Sequence, residues 1–443
     1  MSYCTVKRRG HKNQQHRSPR SVRNLCHLVV SWNHHVRKPH HEEELPVASI
    51  TDSGVAYVAC IQGLKELHFL GHSCHYKFDS LPPAAAVGAP PEQLLFQRLS
   101  SLPLLHTLNV ACSLELICSE SLQYIGLLAR SLRCLTLGDA VSLHWCNPST
   151  SITWLRSRMM HLSTLLRQTL RTLKLFLPVV STDDLLNIAM LFQLRRLEIT
   201  SFSLKTTKPS GSSSEVVEQV LAPLQHLEHL KIDQCCPLAG RLLLPPAALS
   251  QLTCLSITNN WRLTHLHVAM MPHFTNSHNL NSNITNLDLS GCEDVDDQCA
   301  AYIRLLTNLA SLNIRETALT DVGIEELFTP PLAYLARLSL GGRSRIADIS
   351  NAAMEIFALL PKLRTLEIFR CSDITNDGLT ILGLDSPNSF YSLRFLTIEN
   401  CPHVTRRGIE QLRAAKPYLS LNSSDPSTSQ LPCSDSGMIE DSS

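Results

Sequence analysis

The sequence is poor in aromatic residues and in charge. Only 5% of its 443 residues are aromatic and 17% are charged, so any large core must be aliphatic. The 39 lysines and arginines nearly balance the 38 aspartates and glutamates, which leaves a formal net charge of +1. This balance excludes a strong overall attraction to nucleic acid or to acidic membranes, so any charge-driven binding must be local.

Long apolar runs and dense cysteine are also missing. No stretch approaches the roughly 18 uninterrupted apolar residues of a membrane span, so no membrane association is predicted. The apolar stretch from Leu25 to Trp32 is too short and too polar for a secretion signal. Sixteen cysteines are fewer than a disulfide-stapled secreted scaffold requires. We therefore expect a reducing compartment, the cytoplasm or the nucleus.

Catalytic and cofactor motifs are lacking as well. The sequence contains no phosphate-binding loop, no dinucleotide fingerprint, no H-E-x-x-H and no G-x-S-x-G. The segment from Trp32 to Glu44 holds four histidines and three glutamates, but neighbouring side chains of a loop rarely converge on one ion. We interpret it as a solvated insertion. The sequence thus predicts no enzyme, no cofactor and no metal site.

Leucine is abundant, at 76 of 443 residues, and it recurs in the pattern L-x-x-L-x-[LIV] followed by a small residue, Cys or Asn. From Leu227 onward the copies start 25 to 32 residues apart, whereas earlier intervals reach 41. The pattern occurs thirteen times, with its apolar positions at Leu25/Leu28/Val30, Leu64/Leu67/Phe69, Leu105/Leu108/Val110, Leu132/Leu135/Leu137, Leu170/Leu173/Leu175, Leu194/Leu197/Ile199, Leu227/Leu230/Ile232, Leu252/Leu255/Ile257, Ile284/Leu287/Leu289, Leu309/Leu312/Ile314, Leu335/Leu338/Leu340, Leu363/Leu366/Ile368 and Leu393/Leu396/Ile398.

Each copy predicts one strand, one turn and one helix. Its last apolar residues alternate with period two, and the following segment returns to helical spacing, as in Asp297 to Leu306. Stacked copies bury their apolar edges against each other. The predicted fold is an α/β solenoid over residues 25–419, a horseshoe with a concave parallel sheet and convex helices. The basic arm 1–24 and the Ser/Asp-rich tail 420–443 are predicted to be disordered.

Three copies carry a more specific signature: LDLSGCEDVDDQCAAYI from 287, LEIFRCSDITNDGLTIL from 366 and LTIENCPHVTRRGIEQL from 396. These segments resemble the cysteine-containing subtype of leucine-rich repeats. We expect the cysteines to be structural, each a small group that bonds backbone donors of the turn after the strand. The glycines are expected where close packing or a positive φ is needed. These repeat positions are Cys292, Cys371, Cys401, Gly323, Gly378 and Gly408.

This subtype resembles above all the repeat half of F-box leucine-rich-repeat proteins. The resemblance implies substrate selection for a cullin-RING ubiquitin ligase, with the Skp adaptor and a cullin as partners. An F-box is expected to precede the repeats, yet the first copy begins at Leu25, after only the basic arm. The F-box-like string from Pro90 to Leu99 is interpreted as the outer helix of a long repeat. The alternative function is a structural or signalling scaffold without a ligase link.

The repeat register also predicts which side chains face the hollow of the horseshoe. Exposed aromatic residues and arginines among charges are typical of protein-binding hot spots. The preferred surface, called here the C-terminal patch, consists of Arg315, Glu367, Phe369, Arg370 and Glu399. The second patch consists of Lys174, Phe176, Arg196 and Glu198. A protein partner is predicted, and RNA binding by the basic residues between 7 and 23 is a weaker alternative.

Overall fold

The structure is a computed structural model of the chain. It describes residues 4–6, 25–32, 49–70, 75–77, 96–110, 125–138, 156–177, 179–201, 203–205, 223–234, 251–260, 263, 265, 268, 283–342, 349–383 and 392–423. The chain divides into two compact units, Met1–Asn283 and Ile284–Ser443. Each unit is a stack of repeats.

The first unit is built on parallel strands that follow one another in chain order, with β1 added antiparallel at one edge. Two outer pairs, β3 with β5 and β9 with β11, are also parallel. The strands of the sheet are β1 (Cys4–Val6), β2 (His27–Trp32), β4 (Glu66–Leu70), β6 (Thr107–Val110), β7 (Cys134–Gly138), β8 (Thr172–Phe176), β10 (Arg196–Thr200), β12 (His229–Asp233) and β13 (Cys254–Thr258). The outer elements are β3 (Ser49–Thr51), α1 (Asp52–Ala59), β5 (His75–Lys77), α2 (Arg156–Leu166), β9 (Val179–Ser181), α3 (Thr182–Ala189) and β11 (Ser203–Lys205).

The second unit contains most of the regular half of the chain, which the shorter repeat intervals predict to begin at Leu227. Its strands pair parallel in chain order, and helices connect successive strands. The strands are β14 (Asn286–Asp288), β15 (Ser311–Arg315), β16 (Arg337–Gly341), β17 (Thr365–Phe369), β18 (Phe395–Glu399) and β19 (Ser420–Ser423). The helices are a 3-10 turn (Asp297–Cys299) that continues into α4 (Ala300–Ile303), then α5 (Asp321–Phe328), α6 (Asn351–Ala358), α7 (Asn376–Gly383) and α8 (Arg406–Ala415).

The predicted α/β leucine-rich repeat architecture is confirmed. Each of the thirteen copies of the pattern coincides with a strand, and most strands bury alternate residues, as in the buried Leu366 and Ile368 of β17. In the segment from Asp297 to Leu306, which the sequence predicts to be helical, Ala300, Ile303 and Leu306 are buried, whereas Leu305 is 49% exposed. Strand β13 departs from the alternation because Ser256 and Thr258 are buried too.

Strand pairing extends past the solenoid limits drawn from the sequence. Strand β19 lies beyond the predicted end at residue 419, because Leu421 pairs in register with Leu396 and continues the ladder. At the other end, Cys4 to Val6 of the predicted basic arm pair with β2. The unpaired backbone groups of an edge strand offer such a segment hydrogen bonds. The division of the chain into arm, solenoid and tail otherwise stays a prediction.

A chain of side-chain hydrogen bonds links the starts of successive helices in the second unit. Asp297 accepts from the backbone nitrogen of Thr320 at 2.8 Å and from its hydroxyl at 2.7 Å. Asp321 accepts from Ser350 in the same way, at 3.0 Å and 2.5 Å. The amides of Asn351 and Asn376 bind Thr375 and Thr405 of the following repeats. Each hydroxyl residue also caps its own helix.

These bonds explain the glycines of the repeat signature. A Cβ added to Gly323 would overlap the carboxylate of Asp297, and one on Gly378 or Gly408 would overlap the amide oxygen of the preceding repeat's asparagine. None of the three has a positive φ. Of the two expected reasons for glycine, close packing is therefore the one that applies.

We expect Asp297→Ala to lower the free energy of unfolding by about 1–3 kcal/mol. The substitution removes a charged acceptor and leaves the backbone N–H of Thr320 without its partner. Urea denaturation followed by circular dichroism measures the change. Asp297→Asn is the matched control, because Asn351 and Asn376 fulfil the same role in later repeats. Equal losses of unfolding free energy in both variants would contradict a stabilising role for the hydrogen bonds between residue 297 and Thr320.

Candidate functional site

The sheet face of each unit presents the side chains that the repeat register predicts. In strands such as β15 and β17 the first, third and fifth residues are half-buried, whereas the second and fourth are buried. The half-buried residues lie in rows across neighbouring strands because the pairing is in register. Adjacent members of a row are separated by roughly 4.8 Å, the spacing of hydrogen-bonded strands.

The centre of the C-terminal patch is a cation–π contact. The guanidinium carbon of Arg315 on β15 lies 3.4 Å from the centre of the Phe369 ring on β17. Strand β16 lies between them and places Gly341 in the same row. Because glycine has no side chain, the arginine reaches over it to the ring. This contact holds a flat, half-buried arginine–phenylalanine surface on the sheet.

At the end of β17, the Arg370 side chain reaches Glu316 at the end of β15, two repeats earlier. Arg370 and Glu316 both have left-handed backbone angles, with φ of 51° and 56°. Their side chains form an ion pair at 3.7 Å between Nη1 and Oε1. Because the Arg370 side chain is 51% exposed, this ion pair contributes little to stability. The guanidinium therefore remains accessible to a partner.

Two acidic residues complete the C-terminal patch. Glu367 accepts a hydrogen bond of 2.7 Å from the hydroxyl of Ser339 on the neighbouring strand. Glu399 pairs with Phe369 in the strand register, and its carbonyl accepts from the backbone nitrogen of Arg370 at 2.9 Å. The structure thus brings all five predicted residues together on β15 to β18. Their role in binding stays a prediction.

The second patch is a compact charge cluster in the first unit. Glu198 is paired with Lys174 at 2.9 Å and with Arg196 at 2.5 Å. Burial would raise the pKa of the Glu198 carboxyl, but the hydrogen bonds and charges of the two cations lower it below its usual value. Burial and the nearby Arg196 also lower the pKa of His229. The cluster keeps one positive charge in excess.

Phe176 lies at the end of β8 in an arrangement that repeats the one around Phe369. Gly138 precedes it on β7 with φ of 120°, and a Cβ on that glycine would overlap the Phe176 carbonyl. The second patch therefore combines an aromatic residue, next to a glycine, with a charge cluster on neighbouring strands. Like the C-terminal patch, it stays a predicted binding surface.

The repeat cysteines are buried, as expected, and their thiols contact backbone groups near the strand exits. The Cys371 thiol lies 3.5 Å from the carbonyl of Phe369, and the Cys401 thiol lies 3.7 Å from that of Glu399. The thiols therefore donate to carbonyls of their own strands. Contact with the Cys371 thiol, followed by the backbone N–H groups of Cys371 and Arg370, lowers the pKa of Cys401, so backbone donors also act on this thiol. In the equivalent position Thr317 donates to the Ile314 carbonyl at 2.9 Å, so any small donor suits the turn.

The repeat cysteines are unsuited to chemistry. Cys292, Cys371 and Cys401 are 0%, 0% and 6% exposed. The pKa of Cys371 is raised by the contact with the Cys401 thiol and by burial. Burial also raises the pKa of Cys299 to about 12. The contact with Cys371 lowers the pKa of Cys401, but this thiol is buried as well. Because a reactive thiolate must also be accessible, these buried cysteines act as packing groups.

Sequence reasoning missed one cluster, which lies on the first two repeat strands. Nδ1 of His27 is 2.5 Å from the Glu66 carboxylate, and Nε2 of His68 is 3.8 Å from the same oxygen. The sequence pattern singled out a different set of histidines, those of the predicted solvated insertion from Trp32 to Glu44. Residues 33–44 of this insertion lie outside the described part of the chain. The available signal was the alternation Glu66-x-His68 on a strand, which places both side chains on one face.

Among the helices of the described residues, none is both long enough and apolar enough to cross a lipid bilayer. The string from Pro90 to Leu99, interpreted above as an outer helix, is helical from residue 96 to 99 and buries Phe96 and Leu99. Its first residues, 90–95, lie outside the described range.

Regular strands, buried leucines and the buried Cys292, Cys371 and Cys401 after their strands decide the class of this protein. The chain is a leucine-rich repeat protein. Its repeats resemble those of F-box leucine-rich-repeat proteins, and the curated relative F-box/LRR-repeat protein 4 of Bos taurus is 31% identical over 105 residues. That match covers 24% of this chain and 17% of the relative. No protein-family model matches the chain.

Solved leucine-rich repeat structures are also similar at low sequence identity. The yeast Rad7 and Elc1 complex contains a chain that is 16% identical, with a TM-score of 0.48 over 88% of this leucine-rich repeat protein and 82% of that chain. A leucine-rich repeat protein of Leptospira interrogans is 13% identical, with a TM-score of 0.37 over 82% of this chain and 91% of the other.

Proposed function

We propose that this chain is a non-catalytic recognition module that holds a protein partner on the sheet face. We further propose that it is a substrate-recognition subunit of an SCF-type cullin-RING ubiquitin ligase and serves ubiquitin-dependent protein degradation. The observation that supports recognition is the arginine–phenylalanine surface of Arg315 and Phe369, set among charged residues on rigid strands.

The C-terminal patch has the composition of a protein-binding site. Aromatic residues and arginine are enriched among interface residues that carry most of the binding free energy. Phe369 is held in place by Arg315, so binding costs little side-chain entropy. Arg370 is exposed and is paired only loosely with Glu316, so an acidic group of a partner can compete for it. An extended or helical protein segment lying across β15 to β18 would contact all these side chains.

The ligase part of the proposal is supported by the repeat signature and by the cattle relative. The relative's name joins an F-box to leucine-rich repeats, and the match covers 17% of that protein. A ligase subunit of this class must contact both a target and an adaptor. The sheet face is proposed for the target, and the Skp adaptor and a cullin are proposed as the other partners.

Co-elution of the purified chain with the Skp adaptor tests the ligase part. The full-length chain and purified Skp adaptor are mixed at micromolar concentration and separated by size exclusion, with and without a cullin. A complex containing both proteins is the expected result. The Phe369→Ala chain is the control. Because the proposed target surface is separate from the proposed adaptor-binding surface, this substitution should leave co-elution unchanged.

Failure of the full-length chain to bind adaptor and cullin would remove the ligase role. If the C-terminal patch still captured a partner, the chain would instead be a structural or signalling scaffold. Loss of both would overturn recognition by this face. The cytoplasm or the nucleus stays the predicted compartment.

A further inference from the structure

The cluster of His27, Glu66 and His68 joins two neighbouring strands at the first repeats. His27 on β2 pairs with Glu66 on β4, and His68 stands two residues further along β4 on the same face. The two imidazole rings are 5.0 Å apart between centres. One nitrogen of each histidine and one carboxylate oxygen all lie within 4.8 Å of one another. Three metal-ligating atoms thus converge on one point of the sheet.

The state of His68 distinguishes this cluster from an ordinary histidine–glutamate pair. Its Nε2 is buried and has no hydrogen-bond partner among the described residues. The nearest Glu66 oxygen, at 3.8 Å, is too far for a hydrogen bond. A buried polar atom without a partner is costly, so native structures rarely keep one without a reason. A metal ion between the three side chains would satisfy this nitrogen.

We propose that His27, Glu66 and His68 bind a divalent transition-metal ion of the zinc class and thereby join β2 to β4. Two imidazoles and one carboxylate are a ligand set that zinc takes in proteins, with a fourth position left for water. The proposal extends beyond partner recognition and does not depend on it. It also departs from the sequence expectation of no metal site.

The ligand atoms must shift to accept the ion, and the two histidine nitrogens, which lie within 4.8 Å of each other, must approach to roughly 3.3 Å. Ligand atoms at about 2.0 Å from a tetrahedral zinc are roughly 3.3 Å apart. The His27–Glu66 separation of 2.5 Å must open by less than an ångström, and the His68–Glu66 separation of 3.8 Å must close by about half of one. The metal takes the place of the hydrogen between Nδ1 of His27 and the Glu66 carboxylate. That proton moves to Nε2 of His27 when the ring is neutral, and to solvent when the ring is protonated.

The surroundings of the cluster act on its ionisable groups. Burial and the neighbouring His27 lower the pKa of His68. The hydrogen bond with His27 lowers the pKa of Glu66. The histidine side chains are 27% and 22% exposed, so an ion can enter from the sheet face.

Zinc titration of the full-length, tag-free chain tests the site. Because His34, His35, His40 and His41 could also bind zinc, all four are first replaced by alanine to give a background variant. Isothermal titration with zinc chloride is expected to show one ion per chain of the background variant. His27→Ala and His68→Ala in that background should each weaken binding about tenfold or more. Zinc should raise the thermal midpoint of the background variant and of neither alanine variant.

His403→Ala is the matched control, because this histidine is exposed and belongs to the second unit, whereas the cluster belongs to the first two repeats. It should bind zinc as the background variant does. X-ray absorption of the zinc-loaded background variant, which keeps the whole cluster, should detect two imidazole ligands even if an alanine variant fails to fold. The absence of zinc binding by the background variant, unchanged affinity in both alanine variants, or any other imidazole count would overturn the site.

Discussion

Gly341→Ala is expected to lower the free energy of unfolding of the second unit by about 3 kcal/mol or more. Gly341 has φ of 129°, a backbone conformation that side-chain-bearing residues avoid at a cost of about 1–3 kcal/mol. A Cβ at this position would also overlap the carbonyl group of Phe369 on the next strand. Because backbone atoms cannot rotate away as a side chain can, β16 and β17 must separate where they now pair.

Guanidinium denaturation of the full-length chain measures this loss, with Gly383→Ala as the matched control. Gly383 ends α7, and the nearest atom to an added Cβ is 3.5 Å away, at ordinary contact distance. The control should therefore change stability by less than about 1 kcal/mol, with either sign. Similar stability of both variants would show that the strand exit tolerates a side chain, and the account of the Gly341–Phe369 contact would be wrong.

Phe369→Ala combined with Arg370→Glu is expected to abolish capture of the protein partner. The double variant removes the ring beneath Arg315 and reverses the exposed charge beside it. Loss of one interface hot spot costs about 2–4 kcal/mol, so capture should fall by roughly thirtyfold or more. Stability should change little, since Arg370 is exposed and Phe369 is half-buried.

Quantitative mass spectrometry of proteins captured by the tagged full-length chain measures the effect. The matched control, Tyr334→Ala with Arg413→Glu, makes the same chemical changes at exposed positions outside the strands. A partner kept by the control and lost by the double variant would place the binding surface at the C-terminal patch. Unaltered capture would rule this patch out, and a partner lost on Lys174→Ala with Glu198→Ala would place binding at the second patch.

The strand positions were predictable to within a few residues because the leucines of the L-x-x-L-x-[LIV] pattern can all be buried on one side only when their segment forms a strand. A strand with alternating burial, as in Leu366 and Ile368, can hide its apolar side only against the helix of its own repeat and the neighbouring strands. The same register predicted that Arg315 and Phe369 share a face. Their direct contact was not predictable, since it depends on the glycine that separates them.

The roles of the small residues in the repeat signature required the structure. The sequence placed Gly323 and Cys371 at the correct turns. It left open whether glycine is needed for its backbone angle or for close packing, and it did not predict that the thiol also donates to the Phe369 carbonyl. The answer for the glycine depends on atoms of another repeat. Asp297, which occupies the space beside Gly323, precedes it by a whole repeat.

The sequence by itself determined the repeat, its register and the side of the sheet on which each residue lies, because period-two alternation decides burial locally. Only the tertiary structure decided which of those residues meet. Contacts such as His27 with Glu66, or Arg315 with Phe369, join positions 39 and 54 residues apart in the chain. Stacking brings such positions to neighbouring or next-neighbouring strands, and their distance depends on loop lengths that no local pattern encodes.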